Sequence, residues 1–116
     1  MPDTFSSSAE VRFLNLDEVV SDLRRAAREA RSSLPEILRV LLFGSLAQGN
    51  WTADSDADLV VVVRKEFPDL LARSRYQIHS PSIPTDTLVY SEAEFEELAR
   101  DPASFLSQIL PSAMEL

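Results

Sequence analysis

Gly44-Ser45, a gap of ten residues, Asp56-Ala57-Asp58 and a later Asp86 are the positions whose types and spacing suit chemistry. Asp56 and Asp58 open the run Asp56–Val63, which ends in four valines and predicts a strand. Residues two apart on a strand point to the same face, so both carboxylates project together. Like charges held side by side repel, and strand stability gives no reason to place them there. A divalent hard cation resolves that repulsion and is matched by carboxylate oxygens. Asp86 lies on another predicted strand, Thr85–Tyr90. If the two strands are neighbours, three carboxylates converge and can hold two Mg2+ ions. Such a pair activates an attacking oxygen and stabilises a leaving one in phosphoryl transfer.

The second half of the constellation is a turn. Glycine occurs only twice in 116 residues, at Gly44 and Gly49, where average usage would give roughly eight. A chain that avoids glycine elsewhere puts these two where the backbone requires them. Gly44 follows the apolar run Val40–Phe43 and precedes a single helical turn that Gly49 closes. Its missing side chain admits a phosphate, and the backbone N–H groups and the Ser45 hydroxyl supply donors. A nucleoside triphosphate would then lie between the Gly44-Ser45 turn and the acids.

The elements that must position these residues follow from periodicity. Leu16, Val19, Val20, Leu23, Ala26, Ala27, Ala30 and Leu34 recur at helical spacing, with Arg24, Arg25, Arg28 and Arg31 on the opposite, solvated face. Asn15 and Glu18 form its start signal, and Pro35 follows its end. Residues 1–14 read as a partly flexible segment and 15–116 as one domain. Phe67, Leu70, Leu71 and Tyr76 suggest a short helix with Pro68 in its first turn, followed by a stiff loop at Pro81 and Pro84. Ser91 with Glu94 is a capping box for a helix bearing Phe95 and Leu98. Asp101-Pro102 starts a last helix bearing Phe105, Leu106, Ile109 and Leu110, which Pro111 ends. The order predicts an α+β fold, a mixed three- to four-stranded sheet packed by helices.

Composition narrows the function classes. Nineteen acidic against eleven basic residues give a net charge of −8, which argues against a nucleic-acid partner and fits a chain that repels polyanions or meets a basic partner protein. No cysteine is present, so disulfides, zinc–thiolate sites and thiol nucleophiles are excluded. The single His79 removes most Ser-His-Asp schemes. No apolar run reaches membrane-spanning length and the N-terminus lacks a basic n-region, so the expectation is a cytoplasmic protein without a membrane partner. Trp51 reads as a packing residue and Ser91 as a cap.

Gly-Ser, ten residues, Asp-x-Asp and a later strand Asp resemble the signature of the DNA polymerase beta-type nucleotidyltransferases. The stretch Pro84–Phe95 is similar to that of the minimal nucleotidyltransferases, the MNT antitoxins of HEPN–MNT toxin–antitoxin pairs. The resemblance spans residues 16–110. It implies a palm-like core, ATP with Mg2+, and AMP transfer to a hydroxyl, commonly a tyrosine, of a HEPN toxin in a hetero-oligomer. It implies Asp56 and Asp58 as metal ligands, Asp86 as a ligand near the attacking hydroxyl, and Gly44 and Ser45 on the triphosphate. Gln48 stands where the family often has arginine, which either lowers activity or is compensated by Arg64 or Lys65. Two alternatives remain: an antitoxin that neutralises by binding alone, and a small-molecule nucleotidyltransferase of the aminoglycoside-modifying kind. The latter resembles enzymes that add a helical domain.

Overall fold

The computed structural model describes residues 16–52, 54–66 and 71–116. The amphipathic segment forms helix α1, Leu16–Ser33, which buries Val19, Leu23 and Ala27 and leaves its arginines exposed. The expected Asn15 cap lies outside the described residues, as do the segment 1–14 and the Phe67–Leu70 part of the expected short helix. Strand β1 (Ile37–Phe43) leads into the single turn α2 (Ser45–Gln48), and strand β2 covers Ala57–Val63. A 3-10 helix (Leu71–Tyr76) precedes strand β3 (Thr85–Ser91). Helices α3 (Glu92–Arg100) and α4 (Phe105–Ile109), a 3-10 turn (Leu110–Ser112) and strand β4 (Met114–Glu115) complete the chain.

The four strands lie in the order β3-β2-β1-β4, with β2 and β3 parallel and the other pairs antiparallel. The fold is α+β with a mixed sheet. Both faces are covered, which is why Val40–Phe43 of β1 and Leu59–Val63 of β2 read as unbroken apolar runs rather than alternating ones. Val40, Leu42, Leu59, Val61 and Val63 face α1, together with Tyr76, Ile78 and Ile83. Leu41, Phe43, Val60 and Val62 face α3 and α4 through Phe95 and Leu106. On β2, Asp58 precedes Val60 and Val62 by steps of two, so it belongs to the face covered by α3 and α4.

Three expectations need correcting. Strand β1 starts at Ile37, not Val40, because Arg39 is neutralised at the sheet. Its guanidinium donates two bonds to Glu115, at 2.7 and 3.1 Å, and lies 5.3 Å from the centroid of the Phe95 ring. The last helix is capped by Ser104, whose side chain accepts from the Ser107 N–H; Asp101 instead ends α3 and accepts from the Ala103 N–H at 2.9 Å. The last helix does stop just ahead of Pro111, as expected; Pro111 sits in the following 3-10 turn, and β4, unsignalled by any apolar run, pairs Met114 with Leu42. Leu71, expected on an apolar helix face, is 81% exposed.

The far end of the parallel pair is knitted by side chains. Ser91 and Glu94 form the expected capping box. Arg73 grips Glu94 through two bonds of 2.8 Å and donates to the Val89 carbonyl at 2.7 Å. Tyr76 donates to Glu36 at 2.6 Å.

Candidate functional site

The site is built where β1 ends and β2 and β3 begin. Phe43, the last residue of β1, is the cross-strand partner of Asp58 on β2, and Asp58 is in register with Asp86 on β3. Parallel register puts directly opposed residues on the same face, so Phe43, Asp58 and Asp86 form a row across the sheet. Asp56 lies two residues before Asp58, just ahead of β2. The backbone entering β2 is pinned by the Ala57 N–H, which donates to the Pro84 carbonyl at 2.9 Å.

Gly44 has a requirement that the sequence did not disclose. Its φ of +82° is strained for any side chain, and a Cβ there would stand 2.5 Å from Asp58 Oδ2. The missing side chain therefore makes room first for the Asp58 carboxylate. Gly49, at φ +85°, is a left-handed C-cap whose N–H donates to the Ser45 carbonyl at 3.0 Å. A Cβ at Gly49 would meet nothing within 4 Å, so its role is conformational alone.

Ser45, on the first position of α2, donates its hydroxyl to Ser55 Oγ at 3.2 Å, and Ser55 Oγ accepts from the Thr52 N–H at 2.8 Å. The turn and the loop leading to the acids are thus one hydrogen-bonded unit. Trp51 anchors that loop, packed half-buried against the α1-side core. His79 is exposed.

The acids share an electrostatic field. Burial pushes the Asp58 carboxyl above its ordinary value, and the nearby Asp86 and Asp56 charges raise it further. Among the described residues none of the three has a hydrogen-bonding or ion-pairing side chain, unlike the acids at the other end of the sheet. Also among the described residues, no three His, Cys, Asp or Glu side chains stand close enough to hold a metal ion. The expected convergence of the three carboxylates on one point is therefore not seen: Asp58 and Asp86 share a face and all three share a field, but Asp56 stands ahead of the strand and mutual repulsion opposes closure. Their donor set, hard oxygens only, fits Mg2+ and no soft metal.

The expected substitute for the family arginine fails on geometry. Gln48 is exposed on α2. Arg64 and Lys65 follow the last residue of β2, and six residues of strand at about 3.3 Å each put Arg64 ~20 Å from Asp58. Neither side chain spans that distance. Sequence reasoning also passed over an aromatic pair: Phe105 of α4 packs edge-on against Phe43, with centroids 5.6 Å apart and planes at 78°. The adjacency of Phe43 to Gly44 was the available signal.

Comparison with known proteins bears on this arrangement. A family model described as the nucleotidyltransferase domain matches residues 23–110. The curated proteins give no match. Among solved structures, the chain is similar to a proposed nucleotidyltransferase from Sulfolobus solfataricus whose crystal structure was determined at 1.40 Å. The two share 24% identity and a TM-score of 0.51, over 83% of this chain and 82% of that one, a likeness of fold.

Proposed function

This chain belongs to the nucleotidyltransferase domain family, and from that premise we propose that it transfers AMP from ATP to a hydroxyl, a tyrosine's, on a cognate HEPN toxin. The observation that carries the proposal is the register of Asp58 with Asp86, two like charges directly opposed on adjacent strands. Such a pair is unfavourable for the sheet and useful to phosphoryl transfer.

In this reading Asp56, Asp58 and Asp86 would hold Mg2+, two ions on the expectation above, which would supply charge neutralisation at the phosphoryl oxygens. The Gly44–Ser45 turn would bind the triphosphate through its N–H groups and through the Ser45 hydroxyl, which would turn from Ser55 to the phosphate. The acceptor oxygen bonds to the α-phosphorus as the α–β bridging bond breaks. Pyrophosphate leaves, and the hydroxyl proton passes to Asp86. The acceptor comes from the partner in a hetero-oligomer. The −8 charge of the chain favours a partner with a basic surface.

A second reading, neutralisation by binding without transfer, is favoured by one observation. Gln48 replaces the expected cation, and Arg64 and Lys65 lie at the wrong end of β2. Incubation with ATP, Mg2+ and the cognate toxin, followed by mass spectrometry of the toxin, separates the two. Addition of AMP that is lost with Asp58→Asn supports transfer. A silenced but unmodified toxin supports binding alone.

A further inference from the structure

We infer that Phe105, standing edge-on against Phe43, is the platform on which the base of the nucleoside triphosphate stacks. The inference rests on the nucleotide-binding reading above and adds to it the place of the nucleoside.

Phe105 is 51% exposed, although the next residue, Leu106, is 1% exposed and anchors α4 in the core. Leu106, Ile109 and Leu110 already seal this part of the sheet, so an aromatic ring at 105 is not needed for closure. Phe43, at 8% exposure, fixes the ring from one side through a near-perpendicular contact. An edge-to-face pair holds the second ring in a defined orientation while leaving its other surface available.

Position decides the occupant. Along the row of cross-strand partners, Phe43 and Asp86 lie on opposite flanks of Asp58. The Gly44-Ser45 turn continues directly from Phe43. The phosphate-holding turn and the aromatic pair therefore share one flank of Asp58, and Asp86 holds the other. A nucleotide whose phosphates lie on the turn has its nucleoside on the Phe105 flank, while the acceptor hydroxyl takes the Asp86 flank. Phe105 offers a ring face and no hydrogen-bonding group, so it favours large π-surfaces without reading base edges. The expectation is purine over pyrimidine, with little distinction between ATP and GTP.

The test is calorimetric titration of the intact protein with Mg-ATP and, separately, with magnesium tripolyphosphate, which has the phosphates and no base. Phe105→Ala should weaken ATP binding about tenfold and leave tripolyphosphate binding unchanged, and Phe105→Tyr should retain ATP affinity. An unchanged ATP affinity in Phe105→Ala overturns the inference and hands the ring to the acceptor or partner. A parallel fall for both ligands also overturns it, since the ring then acts through the fold. If the wild-type protein binds neither ligand, the nucleotide-binding reading itself falls; if it binds both and only the Phe105 variants disagree, this inference alone does.

Discussion

The two ends of the parallel pair β2/β3 are built on opposite principles. At the end where the strands finish, charges are matched: Arg73 holds Glu94 by two bonds, Glu94 also accepts from the Ser91 N–H, and Arg73 caps the Val89 carbonyl. The Arg73 guanidinium drives the Glu94 carboxyl down to about 2. Where the strands begin, Asp58 faces Asp86 in register, Asp56 stands nearby, and Asp58 is held above its ordinary value. One pair of strands thus carries a stabilising network at one end and an unfavourable cluster at the other. Among the described residues the three aspartates have no counterpart to the Arg73–Glu94 pairing, which is what the proposed metal and nucleotide site would require.

The largest effect should come from Asp58→Asn, which should lower transfer about a thousandfold in a labelled-ATP assay. The variant should nonetheless be at least as stable as the wild type in urea unfolding without metal. Loss of stability would break the contrast between the ends. Gly44→Ala comes next: its Cβ would collide with Asp58 Oδ2 in a backbone of φ +82°. It should lose most activity and destabilise the fold by about 1–2 kcal/mol, read from the same two assays. At the other end, Glu94→Ala should destabilise by about 1–2 kcal/mol through the lost cap and screened ion pair. Its activity per folded molecule should stay near that of the wild type.

The smallest effects are in pH dependence, and they have opposite signs. Glu94 has a folded value near 2 against an ordinary 4.5. Its stabilisation is therefore present above about 4.5 and is lost as pH falls towards 2. The stability gap between wild type and Glu94→Ala should shrink over that window. Asp58 has a raised folded value against an ordinary 3.8, so the proton favours the folded state. Its destabilising effect sets in as pH rises from the ordinary value through the folded one. The advantage of Asp58→Asn should therefore grow with pH. Urea titrations at a series of pH values measure both gaps, and gaps of the same sign would remove the contrast.

Much of this was legible in residue order. The valine run and the Ser91–Glu94 box each specify local geometry, and each formed as local rules require, whereas β2 begins at Ala57 and leaves Asp56 just outside the strand expected to carry it. Features decided by distant partners were not legible. Strand β1 extends to Ile37 because Glu115, 76 positions away, receives Arg39. Strand β4 is two residues whose pairing depends only on the edge of β1 being present. Gly44 was marked by composition, but its nearest constraint is Asp58 Oδ2, a tertiary contact. Arg64 and Lys65 looked like candidate counter-cations because sequence distance hides the ~20 Å length of the intervening strand.

The most direct test of the central claim, that the acidic end gives up stability to hold a nucleotide with its metal, is one unfolding comparison of wild type and Asp58→Asn. It is made first with a chelator and then with saturating Mg-ATP. Asp58→Asn is predicted to match or exceed the wild type in the chelator, and the wild type to overtake it when Mg-ATP is added. A wild type that Mg-ATP fails to stabilise, or an Asp58→Asn that gains as much from it, would contradict the account.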